Sequence, residues 1–203
     1  LTQGGVKLPW SGTFHHIAYR ILKQYAPLLG YANTFNILDS EDARDMIKLC
    51  IGSEGVQRSH KKFPSPAVVA SLLSFARNAE RTVVDVLEEK HPQWVDFADP
   101  LSRIAEDYGR RKRESNVMDF DDLLVNLFLL LSSSEQVRKK YATQFQYILV
   151  DEYQDTNKIQ ASIIRFFAIV HQNLLVVGDD AQSIYSFRAA DISNILDFEH
   201  THT

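Results

Sequence analysis

Two short apolar runs, each ended abruptly by acidic residues, constrain the fold of this sequence more than any other feature. Residues 147–150 are Tyr, Ile, Leu and Val, and residues 174–177 are Leu, Leu, Val and Val. Between them, apolar residues recur at helical spacing over residues 159–170. The order strand, helix, strand predicts a βαβ unit, whose two strands run parallel and are buried on both faces.

The acids that follow these runs are the first candidates for chemistry. Asp151 and Glu152 end the first run, and Asp179 and Asp180 end the second after one glycine. The carboxyl ends of neighbouring parallel strands open on the same edge of a sheet, where ligands collect. Adjacent acids there point in different directions, so one can hold a divalent cation while the other orients a water molecule.

A purely structural role is available for each of these acids taken singly. Asp151, Asp179 and Asp180 are then turn formers, and Asp155 and Asn157 belong to the start of a helix. The complete string over residues 151–157, placed directly after an apolar strand, favours a functional site instead.

The rest of the chain is predicted to be mainly helical. Thr13 caps a first helix that ends near residues 27–30, and Ser40 caps a second one. Residues 52–66 form an exposed loop, after which Ser65 and the following proline begin another helix. Further helices are expected over residues 83–89 and 99–113, and Asp119 caps a strongly apolar helix over residues 123–131.

Composition narrows the class of protein. The chain has 203 residues, of which 45% are apolar and 24% charged, with a net charge of −4 and a single cysteine. These values exclude disordered, collagenous and disulfide-framework proteins. No signal pattern and no apolar run near 20 residues is present, so we expect a cytoplasmic protein that does not cross a membrane.

Four segments, in one order along the chain, resemble motifs of the UvrD/Rep-type superfamily-one DNA helicases. They are residues 12–15, 118–123, 150–157 and 177–191. The resemblance implies an α/β fold: an incomplete RecA-like parallel-sheet motor domain with an inserted all-α subdomain. Residues 1–30 begin the motor-domain fragment, residues 31–115 are the insertion, and residues 116–203 complete the fragment.

The resemblance also implies a nucleotide site for ATP and Mg²⁺. Asp151 matches the acid that holds the nucleotide's magnesium, and Glu152 matches the base that orients the hydrolytic water. Gln182 matches a side chain that senses the γ-phosphate. Arg188 matches an arginine that helps to link the DNA face to the nucleotide site.

A single-stranded DNA track is the second site that the resemblance implies. Thr13 and His15 match a DNA-backbone contact, and Phe120 matches an aromatic residue near the same strand. Tyr185 and Phe187 match aromatics beside the bases, although tryptophan is commoner at the second position. Stacking on aromatic rings suits a motor that moves on any sequence, because every base has a π-face.

Several of these residues have an alternative role. Phe14, which belongs to the same motif as His15, lies on an apolar helical stripe and is better explained by core packing, an alternative that also holds for Phe187. His16 stands where serine is usual. A metal site at His15 and His16 is rejected, because no further residue has ligand spacing. The basic run over residues 110–113 is interpreted as a solvated helix end, with phosphate contact as the alternative.

The phosphate loop of such motors is missing from this sequence. Its lysine would follow a glycine, and none of the eight glycines here precedes a lysine. We therefore expect an internal fragment of an ATP-dependent DNA helicase, whose partners are single-stranded and duplex DNA and the remaining helicase domains. In isolation it is expected to lack ATPase and unwinding activity, and to self-associate through its truncated sheet edges. The alternative is a non-catalytic DNA-binding or partner-docking module with the same fold.

Overall fold

Helices make up most of the described chain, which in this computed structural model comprises residues 8–56 and 63–179. Its α-helices are α1 Phe14–Tyr25, α2 Ser40–Glu54, α3 Pro66–Asn78, α4 Val83–Lys90, α5 Ala98–Glu114, α6 Phe120–Ser133, α7 Glu135–Gln144 and α8 Lys158–Ala168. Its strands are β1 Asn36–Ile37, β2 Val117–Met118, β3 Ile148–Val150 and β4 Leu174–Val176. Short 3₁₀ turns occupy Ala26–Leu29, Pro92–Phe97 and Tyr153–Asp155.

The βαβ unit is confirmed. β3 and β4 pair in parallel, with Ile148 opposite Leu174 and Val150 opposite Val176, and α8 connects them. A second parallel pair, β1 with β2, was not predicted. It joins two-residue strands that are distant along the chain and too short to show a periodic pattern in the sequence.

The expectation that β3 and β4 are buried on both faces is wrong for the described part of the chain. Leu149 and Leu175 are paired neighbours on one face, and they are 73% and 57% exposed. Tyr147 and Val177 continue this exposed face along each strand. On the opposite face, Ile148 packs against the first core, and β3 contacts α8. A parallel sheet is covered on both faces only where two layers are present, and the described helices supply one.

Helix caps follow the sequence closely. Thr13, Ser65 and Asp119 each accept a hydrogen bond from a backbone N–H in the first turn of α1, α3 and α6, as predicted. The predicted cap of α2 is one residue off. Asp39, rather than Ser40, accepts from the N–H groups of the first turn, because its carboxylate reaches two donors at once.

Two hydrophobic cores divide the described residues. The first joins α1, α6, α7 and α8, with Leu127, Leu130 and Tyr141 at its centre. The second lies entirely among α2 to α5, around Ile51 and Ile104. Of the helices in the described ranges, none is both long enough and apolar enough to cross a bilayer.

The basic run at the end of α5 is only partly a solvated helix end. Arg110 is half-exposed and pairs with Glu114, as expected for such a surface. Lys112 is different: it is 1% exposed, and its Nζ lies 2.5 Å from Asp119 Oδ2 and 2.6 Å from Asp122 Oδ2. The prediction was wrong for Lys112, because the face of α5 that carries it packs against the start of α6.

Candidate functional site

The acidic ends of β3 and β4 lie at the same edge of their sheet. Asp151 and Glu152 follow β3 directly, Asp179 follows β4, and all three side chains are exposed. The backbone ladder continues past the strands, since Val177 N donates to Val150 O over 2.8 Å and Tyr153 N donates to Val177 O over 2.9 Å. The two acidic turns are therefore neighbours, as the sequence predicts for parallel strands.

Glu152 has an unusual backbone for a residue with a side chain. Its φ of 53° and ψ of 43° place it in the left-handed region, which costs a non-glycine residue about 1–2 kcal/mol. Its N–H donates to the carboxylate of Asp151 over 3.0 Å. Such conformations persist only where the surroundings hold them, and they cluster at functional sites.

Gln154 ties the two acidic turns together. It is 1% exposed, its Nε2 donates to Glu152 Oε2 over 2.6 Å, and its Oε1 accepts from the backbone N–H of Asp179 over 3.1 Å. The amide therefore fixes the Glu152 carboxylate relative to the end of β4. Sequence reasoning assigned Gln154 no role, although its place two residues after the predicted site acid Glu152 was the available signal.

Beyond Gln154, the loop runs into the capped start of α8. Thr156 Oγ1 donates to Tyr153 O over 2.7 Å, and Asn157 forms a reciprocal capping box with Gln160. The structural alternative for Asn157 as a helix cap is thus confirmed. Asp155 Oδ1 is buried and has no hydrogen-bond partner among the described residues.

The donor set at this edge fits a magnesium ion carried by a nucleotide. Mg²⁺ prefers oxygen ligands and is usually held by one or two carboxylates together with substrate phosphates and water. Asp151 offers an exposed carboxylate at the strand end, and the orphaned oxygen of Asp155 is a second acidic group on the same loop. Within residues 8–56 and 63–179, no group of three or more His, Cys, Asp or Glu side chains is arranged as a metal site.

Two of the residues predicted to contact DNA, His15 and Phe120, meet on a second surface. α1 and α6 pack side by side, and the rings of His15 and Phe120 meet edge to face with centroids 5.9 Å apart. Phe120 is 57% exposed, and Thr13 is exposed at the start of α1. Phe14 instead packs against the first core, which confirms the structural alternative for its ring.

A groove of about 570 Å³ begins beside Phe120. It lies between the second core and the start of α6, and its charged lining residues are Asp39, Arg44, Arg77, Arg81, Asp119 and Asp121. Arg77 bonds to Asp122 and Arg81 to Glu89, so these two guanidinium groups already have acidic partners.

The start of α6 is a dense acidic cluster held by cations. Burial raises the pKa of Asp121, although hydrogen bonds with Ser74 and Asn78 act in the opposite direction. Burial also acts to raise the pKa of Asp119, but the adjacent Lys112 ammonium outweighs it and holds that pKa below its usual value. The net pKa shifts of these two acids are therefore opposite in sign.

Four predicted site residues lie outside the described residues. They are Gln182, Tyr185, Phe187 and Arg188. The predicted site residues that the structure describes are Asp151 and Glu152 at the strand ends, and Thr13, His15 and Phe120 on the second surface.

The described residues thus hold a parallel strand pair with acidic ends and, separately, an aromatic contact between α1 and α6. The family model of the UvrD/REP helicase N-terminal domain matches residues 1–203, and the chain belongs to that family.

The proteins to which this chain is similar include DNA helicases of Staphylococcus. The chain is 37% identical over 193 residues to the ATP-dependent DNA helicase PcrA of Staphylococcus aureus strain Mu50, a match that covers 94% of this chain and 25% of the relative. It is 36% identical over 194 residues to PcrA of Staphylococcus epidermidis, covering 95% of this chain and 26% of the relative. The chain thus spans about a quarter of the length of these curated relatives.

Proposed function

We propose that this chain forms part of the motor of an ATP-dependent DNA helicase, which moves along single-stranded DNA and unwinds duplex DNA. The main observation in support is that Gln154 hydrogen-bonds both to the Glu152 carboxylate and to the backbone N–H of Asp179, just after β4. Family membership and the name of the relatives, ATP-dependent DNA helicase, support it.

In this proposal the strand-end acids act on ATP. Asp151 holds the Mg²⁺ of the nucleotide, and Glu152 accepts a proton from the attacking water. Gln154 orients the Glu152 carboxylate through its 2.6 Å hydrogen bond. Gln182 senses the γ-phosphate, and Arg188 links the nucleotide to the DNA face. These two assignments rest only on the resemblance of their motif.

The aromatic surface is proposed as part of the DNA track. The exposed ring of Phe120 offers a stacking platform for a base, and His15 supports that ring from the side. Thr13 contacts the DNA backbone at the start of α1. Tyr185 and Phe187 extend the track in the proposal. Stacking of this kind holds single strands without selecting a sequence.

The proposed architecture is an incomplete RecA-like domain with residues 31–115 inserted as an all-α subdomain. The separate core among α2 to α5 supports this division, with residues 1–30 and 116–203 on the motor side. The remaining helicase domains are the expected partners. A cytoplasmic setting is proposed because the single cysteine, Cys50, cannot form an internal disulfide.

Self-association of the isolated chain is also proposed. Its support is the exposed apolar face of β3 and β4, together with the free strand edges of that two-stranded sheet in the described structure. Light scattering over a range of concentrations tests this, and a strict monomer at high concentration contradicts it.

The test of the main proposal is ATP hydrolysis by the full-length protein that contains these residues. We expect turnover that single-stranded DNA stimulates, and a fall of about 10²-fold or more in Glu152→Gln with nucleotide binding retained. The matched control is Glu80→Gln, because Glu80 is an exposed glutamate with the same φ of 53°, far along the chain from the site. Unchanged turnover in Glu152→Gln removes this residue from catalysis.

The same experiment decides between the proposal and its alternative. The isolated 203-residue chain is expected to show no ATPase activity. Full-length protein that binds single-stranded DNA through Phe120 but never hydrolyses ATP would instead be a non-catalytic DNA-binding module.

A further inference from the structure

Asn78, the last residue of α3, joins the two candidate sites. Its Nδ2 donates to Asp121 Oδ1 over 2.7 Å and to Ser74 O over 3.0 Å. Its Oδ1 accepts from Asn157 Nδ2 over 3.0 Å. One half-buried side chain thus connects the end of α3 with the starts of α6 and α8.

The hydrogen bonds around Asn78 fix the direction of both amides. Because a carboxylate and a carbonyl can only accept, the group that faces Asp121 and Ser74 must be the NH₂ of Asn78. Asn157 Oδ1 accepts from Gln160 N as the helix cap, so its own NH₂ is the group turned towards Asn78. Neither amide can turn over without placing like groups in contact.

Each end of this bridge belongs to a segment that carries a proposed functional residue. Asn157 closes the loop that begins at Glu152 and caps α8. Asp121 follows Phe120 in the first turn of α6. Two hydrogen bonds through Asn78 therefore link the start of α6 to the start of α8.

The neighbouring residues make the start of α6 a rigid unit. Arg77 Nη1 bonds to Asp122 Oδ1 over 2.5 Å, and the buried Lys112 bonds to Asp119 and Asp122. The other end of the Glu152 loop is fixed to β4 by Gln154. Asn78 links α3 to this loop directly, because it accepts a hydrogen bond from the side chain of Asn157.

We propose that Asn78 is a positioning residue that couples occupancy of the Phe120 surface by single-stranded DNA to the alignment of Glu152. It touches neither nucleotide nor DNA; it acts through Asn157 on one side and Asp121 on the other. This inference rests on the proposed function, because it concerns the stimulation of ATP hydrolysis by DNA.

The test compares Asn78→Leu with the wild type in the full-length protein. Leucine keeps the approximate volume and removes all three side-chain hydrogen bonds of Asn78. Three quantities are measured: turnover without DNA, turnover at saturating single-stranded oligonucleotide, and the Kd for that oligonucleotide without nucleotide. We expect the stimulation ratio to fall about 5-fold or more, a typical size for coupling between two sites, while basal turnover and Kd stay within about two-fold.

Four further variants guard against misfolding of Asn78→Leu and serve as controls. Asn157→Ser keeps a capping oxygen for α8 but is too short to reach Asn78, so it must lower the stimulation ratio in the same way. The double variant must lose no more than either single one, because both remove the same bond. Asp121→Asn retains an acceptor for Asn78 and must preserve stimulation, as must Ser71→Ala on the exposed face of α3.

Clear outcomes overturn the inference. An unchanged stimulation ratio in Asn78→Leu and Asn157→Ser disproves the coupling, and so does an equal loss of basal and stimulated turnover, which indicates a general structural role. A wild-type protein without DNA-stimulated turnover would contradict the proposed function itself. Stimulation in the wild type that persists in both variants would contradict the role of Asn78 alone.

Discussion

The ring of His15 packs edge to face against the ring of Phe120, with their centroids 5.9 Å apart and their planes at 71°. This contact joins the beginning of α1 to the beginning of α6. It places two separate sequence motifs on one surface while leaving more than half of the Phe120 side chain exposed. An exposed aromatic ring held in this way is suited to stacking with a base.

Phe120→Ala is expected to weaken binding of single-stranded DNA. Loss of one stacking platform costs about 1–3 kcal/mol, or roughly 5- to 150-fold in Kd. Fluorescence anisotropy with a labelled oligonucleotide measures the effect, and the melting temperature should change little because the ring is exposed. Leu129→Ala, at a 46% exposed position on the same helix, is the control and should leave Kd unchanged. Equal Kd values for all three proteins would exclude Phe120 from the DNA surface.

The left-handed backbone at Glu152 predicts that a glycine variant at this position is more stable than an alanine variant. Because φ is 53°, glycine fits this position without strain and alanine does not, so Glu152→Gly should be more stable than Glu152→Ala by about 1 kcal/mol. Urea unfolding of the two variants gives the difference. At Glu88, an exposed position inside α4, the order should reverse, since glycine weakens a helix interior. The same order at both positions would contradict the left-handed conformation of Glu152.

Lys112→Met is expected to destabilise the fold by about 3–5 kcal/mol, because it leaves the buried carboxylate of Asp122 and the partly buried one of Asp119 without their ammonium partner. Methionine still fills much of the volume of the lysine side chain. Denaturant unfolding measures the loss. Lys139→Met, at an exposed position on α7, serves as the control and should change stability by less than about 0.5 kcal/mol. A small effect at Lys112 would show that this side chain is solvated.

Asp121→Asn is expected to stabilise the fold at neutral pH. Burial raises the pKa of Asp121, so its ionised form costs the folded state free energy. The cost is absent below the ordinary value of 3.8 and develops as the pH rises through the raised folded pKa, so the advantage of asparagine should grow in that direction. Unfolding free energies at acid and neutral pH test this sign, and an advantage that shrinks with rising pH would contradict it.

Asp119→Asn is expected to have the opposite effect, destabilising the protein at neutral pH. The Lys112 ammonium holds the pKa of Asp119 below its usual value, so the ionised form stabilises the folded state. That contribution is present above the ordinary value of 3.8 and is lost as the pH falls through the lowered folded pKa. The same unfolding measurements test this sign, and a neutral-pH stability equal to that of the wild type would contradict it.

Features governed by neighbours in the sequence were the ones that sequence reasoning predicted well. The caps at Thr13 and Asp119 depend on a donor three residues away, and the strands end where apolar residues give way to acids. Parallel pairing followed from the helix between the strands, because a tight hairpin is then excluded. The predicted cap of α2 failed by one position, since Asp39 and Ser40 are both good caps and only geometry separates them.

Long-range contacts were beyond the reach of sequence patterns. Asn78 and Asn157 are 79 residues apart, and Gln154 reaches an N–H 25 residues away. No local periodicity encodes these pairs. Lys112 illustrates the same limit, because its place in a basic run suggested solvent while the packing of α5 against the start of α6 buried it.

The sequence alone determined the βαβ unit, the positions of its acidic ends and the family to which the motifs belong, because these depend on the order and spacing of residues. Only the tertiary structure decided that Gln154 holds Glu152 against the end of β4, that His15 supports Phe120, and that Asn78 lies between them. Side chains from distant segments meet only when helices pack, and packing is settled by the fit of whole surfaces rather than by any local run of residues.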